Sequence, residues 1–217
     1  MPSLDPNRPG GRRWPGIIVA AAISLLGSAP EAMAQDPTGD TEIARIESYL
    51  GAIKTMRARF DQVAPDGSLA QGTFYLRRPG RLRFEYDPPT PILVVADNVW
   101  IVFEDRELGQ VDRFPLSSTP LSILTDDDIA FGDSAVVSSL NSEGSLIWLT
   151  LRDADRPEEG ALTLIFDQSP LRLRQWLVTD AQRLTTEITL YNTETNITLD
   201  PRLFVYDERE RRNNRLP

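Results

Sequence analysis

Apolar residues recur at two different periods along this chain. Ile43, Ile46, Leu50 and Ile53 are spaced by three, four and three residues, the single stripe of an amphipathic helix over Thr41–Thr55. Asp40 or Thr41 is placed to cap it. From Met56 the period becomes two. Met56, Ala58 and Phe60 alternate with Arg57, Arg59 and Asp61, and Leu82, Phe84 and Tyr86 alternate with Arg81, Arg83 and Glu85. That alternation predicts half-buried strands. Further strands are expected at Leu69–Arg77, Ile92–Ala96, Val99–Glu104, Glu107–Arg113, Leu146–Arg152, Leu162–Asp167, Leu171–Thr179, Leu184–Tyr191 and, briefly, Leu203–Tyr206. Turn signals punctuate them: Pro65-Asp66-Gly67-Ser68, Pro79-Gly80, Asp87-Pro88-Pro89 and Asp97-Asn98.

The alternation lapses in the middle. Ser117-Ser118-Thr119-Pro120 is a helix-start signature, followed by a short apolar helix with Leu121, Ile123 and Leu124. Asp126-Asp127-Asp128 is expected to end it and to cap another short helix through Ile129 and Phe131. About eleven short antiparallel strands with a helix at the front and a helical insertion midway indicate a mainly β fold. The strands offer one apolar face and the helices a second. The simplest arrangement is an incomplete antiparallel β-barrel with an α lid, covered by short helices and enclosing a hydrophobic cavity.

Three segments are expected. Residues 1–34 have the layout of a secretory signal peptide: Arg8, Arg12 and Arg13, then the apolar run Ile17–Leu26, then Ala32-Met33-Ala34 as a cleavage site. The apolar run is shorter than the ~20 residues that cross a bilayer. Residues 35–207 form the folded domain, and 208–217 (ERERRNNRLP) read as a polar tail.

Composition removes whole classes of chemistry. The 217 residues include no cysteine and no histidine. Disulfides, thiolate nucleophiles, Ser-His-Asp machinery and the usual zinc sites are therefore excluded. A net charge of −9 disfavours nucleic acid, which needs a clustered basic surface. No G-x-S-x-G elbow, S-x-x-K motif or glycine-rich phosphate loop occurs. The three consecutive aspartates lack the alternation of calcium loops. Asn196-Ile197-Thr198 matches a glycosylation sequon, a signal that short motifs give by chance. No cofactor, no metal and no catalytic residue is expected.

Several motifs occur in a fixed order. Phe60-Asp61-Gln62 is followed by Gly72-Thr73-Phe74 and by Arg78-Pro79-Gly80-Arg81-Leu82-Arg83-Phe84-Glu85-Tyr86. Ile92–Asp97, Val99-Trp100-Ile101 and Thr119-Pro120-Leu121-Ser122-Ile123-Leu124 come next. Over roughly residues 41–206 this series resembles the LolA family, the periplasmic carriers of outer-membrane lipoproteins. Two positions depart from the family pattern: Asn98 stands where the family usually has glycine, and Leu82 where it often has an aromatic.

The resemblance implies a non-enzymatic, monomeric periplasmic chaperone. It would take acylated lipoproteins from an inner-membrane ATP-driven lipoprotein-releasing complex. Delivery would be to an outer-membrane receptor or to the outer membrane directly. Arg78, before the proline of the Arg-Pro turn, corresponds to the arginine that locks the lid by bonding helix carbonyls. Phe60, Phe74, Leu82, Phe84, Trp100, Ile123, Leu124 and Trp148 are the expected lining of the acyl-chain cavity. An acyl-sensing regulator on the same fold is the alternative.

Overall fold

The computed structural model describes residues 37–132 and 135–207; the expected signal peptide and polar tail lie outside them. Eleven strands form one antiparallel sheet: β1 (Thr55–Val63), β2 (Leu69–Arg77), β3 (Arg81–Tyr86), β4 (Ile92–Asp97), β5 (Trp100–Asp105), β6 (Gln110–Pro115), β7 (Ala135–Glu143), β8 (Leu146–Asp153), β9 (Gly160–Gln168), β10 (Leu171–Asp180) and β11 (Thr185–Thr195). Their order is β6-β5-β4-β3-β2-β1-β11-β10-β9-β8-β7, so β6 and β7 are the free edges of an open sheet. Each strand pairs with its sequence neighbours except across the β6–β7 gap, and β1 also pairs with β11. The expected mainly β architecture is the one found.

Strand register turns the two-residue period into one continuous apolar face. Ala58 lies opposite Phe74, Phe74 opposite Phe84, and Phe84 opposite Val94. On the other side of β1, Phe60 meets Leu190. Further along, Ile188 meets Trp176, Trp176 meets Leu164, and Leu164 meets Leu149. All but Val94, which is partly buried against it, belong to one buried cluster, which also holds Ile46, Leu50 and Leu124 from the helices. Burying such side chains contributes about 1.5–3 kcal/mol each, in a chain that has no disulfide to help it. The face carrying α1 (Pro37–Gly51) and α2 (Leu121–Thr125) is the inner face.

Three bulges interrupt the ladder, between Arg57 and Arg59, Leu173 and Gln175, and Val137 and Ser139. A bulge adds a residue to one strand and increases its twist, which curls the sheet.

Several expectations are corrected. β7 was not expected; its inward residues, Val137 and Leu140, are three apart because the bulge lies between them, and its other positions are mostly polar and exposed. The strand expected from Glu107 begins at Gln110, after a turn in which Gly109 has φ +69°. α1 begins at Pro37, so Asp40 lies in its first turn rather than at its cap. The helix expected through Ile129 and Phe131 is a loop. The Phe131 amide donates to Glu47 Oε1 of α1 at 2.6 Å, which satisfies it without a helical turn.

The strand expected at Leu203–Tyr206 is replaced by a 3₁₀ turn over Pro201–Phe204, started by Asp200 accepting from the Arg202 amide. The turn packs on the outer face, against β3 and β4, with Phe204 only 2% exposed.

Candidate functional site

The inward row of β2 runs Gly72, Phe74, Leu76. The same two-residue period carries on to Arg78, one residue past the strand, so a guanidinium is delivered to an apolar face. It is 7% exposed. Arg78 Nε donates to the Leu124 carbonyl at 3.0 Å, and Nη1 donates to the Ile53 carbonyl at 2.8 Å and to the Leu50 carbonyl. Leu50 lies at the C-terminal end of α1, Ile53 just beyond it, and Leu124 in the last turn of α2. Carbonyls at a helix end lack intrahelical partners and carry its negative dipole; here the Leu50 carbonyl also accepts from the Ile53 amide at 3.1 Å. A cation there satisfies both helices at once.

No carboxylate among the described residues forms an ion pair with Arg78. Burial pushes its pKa down to about 10, opposed by the more distant charges of Asp126 and Asp127. It therefore remains charged at neutral pH. Three charge-assisted bonds, about 1.5–3 kcal/mol each, compete with a desolvation cost of several kcal/mol. The two largely offset, so the net contribution is small.

Backbone contacts support the same junction. The Gly80 amide donates to the Thr125 carbonyl at 2.8 Å, and the Gly80 carbonyl accepts from the Asn98 amide at 2.8 Å. The β2–β3 turn thus holds α2 at two points, Leu124 and Thr125. Gly80 has φ +67°, and a Cβ there would lie 2.7 Å from Asn98 Cα. On the α1 side, the Arg78 amide donates to the Lys54 carbonyl at 2.9 Å. Asn196 Oδ1 accepts from the Lys54 amide at 2.9 Å, and its Nδ2 donates to the Ala52 carbonyl at 3.0 Å. Asn196 of the apparent sequon therefore positions the exit of α1. Lys54 Nζ reaches Asp127 at 3.2 Å, an exposed pair joining the segments that follow the two helices.

Beneath Arg78, the space bounded by Leu50, Ile53, Met56, Phe74, Leu76, Leu124, Leu173 and Trp176 is about 10 Å³, room for at most about one water. The expected hydrophobic cavity is therefore packed shut. Leu50 and Leu124 of the two helices close it against Phe74 and Trp176. Aromatic rings consolidate the floor: Phe74 meets Phe84 at 4.8 Å and Trp176 at 5.3 Å, and Phe60 meets Phe84 at 5.4 Å.

Of the expected lining residues, only Phe74 and Leu124 border this space. Phe60, Leu82 and Phe84 are buried on the same inner face. Ile123, half-buried, turns to a separate groove of about 240 Å³ between α2 and the β8–β9 end, which Leu151, Ala161 and Arg156 also line. Trp100 and Trp148 belong elsewhere. Trp100 is 46% exposed, one residue out of phase with the inward Ile101, in a cleft with Val102, Phe204 and Tyr206. Trp148 alternates with the inward Ile147 and Leu149. Aromatic character drew attention to both, but phase assigns them to the outer face.

The profile of the family described as "Outer membrane lipoprotein carrier protein LolA" matches residues 51–207, the span that holds Arg78, its turn, α2 and all eleven strands. The chain belongs to the LolA family. An outer-membrane lipoprotein carrier protein of Methylococcus capsulatus is 30% identical to it over 176 residues, covering 76% of this chain and 83% of that protein. A second, from Nitrosomonas europaea, is 26% identical over 182 residues, covering 78% and 86%. The crystal structure of a LolA-superfamily protein from Nitrosomonas europaea matches with TM-score 0.43 and 12% identity, covering 76% of this chain and 97% of that one.

Proposed function

We propose that this LolA-family protein is a periplasmic chaperone, exported by removal of residues 1–34, that shields the acyl chains of lipoproteins on their way from inner to outer membrane. The observation that carries the reading is the buried arginine holding two helices by their last carbonyls over an aromatic and aliphatic sheet face. A long acyl chain favours burial by about 0.8 kcal/mol per CH₂. A pocket for it measures some 300–1,000 Å³, far more than the closed space offers. Cargo therefore enters as α2 lifts and Arg78 gives up its carbonyls, and the groove beside Ile123 is the point of entry.

The latch makes holding reversible. Arginine–carbonyl bonds favour the empty form, acyl burial favours the loaded form, and the difference lets cargo pass to the next acceptor. On this reading the donor is an inner-membrane releasing complex and the recipient is an outer-membrane receptor or the membrane itself. The test is mass spectrometry of the protein isolated from its own periplasm. Acylated polypeptide should co-purify with it. Recovery of the protein free of any acylated species, from cells making lipoproteins, would overturn the assignment.

A further inference from the structure

Nine residues border the closed space under the latch; six of them (Leu50, Ile53, Phe74, Leu76, Leu124 and Leu173) have no hydrogen-bonding side chain, and Met56 has only a weak thioether acceptor. The other two, Arg78 and Trp176, bring donors and no acceptor. Arg78 commits its Nε and Nη1 donors to the carbonyls of Leu50, Ile53 and Leu124. Trp176 does not: its ring is fully buried, and its indole N–H meets no acceptor among the described residues. A donor left unmade in an apolar interior is costly, and native proteins pair nearly all of them. Filling apolar space does not account for it either, since phenylalanine would fill the floor between Phe74 and Leu164 without that penalty.

The geometry points to Trp176 as the residue that recognises the carbonyl oxygen at the head of an acyl chain, through a hydrogen bond made only in the loaded protein. The inference rests on the carrier reading above and goes beyond it. An acyl chain differs from a plain hydrocarbon by one acceptor, the ester or amide carbonyl of its linkage. A site whose only strong polar groups are donors selects that acceptor. Trp176 lies against the residues whose carbonyls Arg78 holds, so lifting the helices opens the space at the indole. One side chain then favours the loaded state by gaining a bond as Arg78 loses its own, which reduces the net cost of opening.

The test compares chains of equal length that differ only at the linkage: a diacylglyceride ester, an N-acyl amide and the dialkyl ether of glycerol, each competed against a fluorescent alkyl probe on the purified protein. The wild type should prefer ester and amide over ether by about five- to tenfold, the worth of one neutral hydrogen bond. Trp176→Phe should bring the three within about twofold. A tryptophan isostere with sulfur in place of the N–H keeps ring size and should do the same, so a folding defect in the phenylalanine variant does not decide the matter. With a carbonyl-labelled ester, the bound C=O stretch should lie lower in the wild type than in the isostere. Equal binding of ester and ether by the wild type, or a preference that survives both replacements, overturns the role of Trp176 and leaves the carrier reading standing. Binding of none of the three overturns both.

Discussion

Arg78 shows how a single side chain is placed by its strand and held by partners far along the chain. Its position follows from strand phase, since Gly72, Phe74 and Leu76 precede it on the inward row. Its partners do not follow from phase. Leu50 and Ile53 are 28 and 25 residues away in sequence and Leu124 is 46; only the folded sheet brings their carbonyls together. On the proposed carrier reading, the buried guanidinium contributes to the closed form and nothing comparable to the open one. Arg78→Leu should therefore tighten cargo binding and slow release. A loss of about 1.4 kcal/mol from the closed form gives about tenfold in affinity. Arg78→Lys, with a point charge in place of the fork, should fall between the two. Titration of a fluorescent acyl probe into the empty proteins checks the order; weaker binding by the leucine variant would show that Arg78 supports the cargo and not the latch.

Elements explain why part of the design could be read from the chain and part could not. Strands β1 to β3 alternate and β4 and β5 are short continuous apolar runs, and the sequence pattern places all five within a residue or two. β7 escaped because its bulge converts an inward spacing of two into three, between Val137 and Leu140. β10 uses the same device between Leu173 and Trp176, but its stronger apolar character kept it visible. Trp176 itself escaped as a site residue for a different reason: an orphaned N–H is a property of its surroundings, which no local pattern encodes. The β2–β3 turn is the element on which the latch depends. Gly80 there combines a positive φ with close approach to Asn98. Gly80→Ala should cost about 1–3 kcal/mol, seen as a lower thermal midpoint. Amide exchange at 121–125 should quicken as the bond to the Thr125 carbonyl weakens. Unchanged exchange in that segment would mean that α2 is held from elsewhere.

On the scale of the whole molecule, the sheet's two faces serve different ends. The inner face supplies the latch and the space beneath it. The outer face is closed over its β3–β5 region by the segment after β11, where Phe204 packs and Arg83 Nη1 donates to the Leu203 carbonyl at 3.3 Å. The sequence held a trace of this second packing. Ile92–Ala96 and Ile101–Phe103 are apolar at every position, as strands buried on both faces are, and Leu93, Val95 and Val102 are indeed buried although out of phase with the inner row. Stability and cargo handling should then separate by mutation. Phe204→Ala removes a buried ring and should destabilise by about 3–5 kcal/mol while leaving the probe affinity of the folded fraction within about twofold. Arg78→Leu should change both, by about 1.4 kcal/mol each, since both come from the same loss in the closed form. The two residues lie on opposite faces and share no hydrogen-bond partner, so in the double variant both effects should add to within about 0.5 kcal/mol. Chemical denaturation and probe titration on all four proteins make the cycle. A coupling well above that limit would mean that the outer face governs the latch, and that the sheet transmits strain from one side to the other.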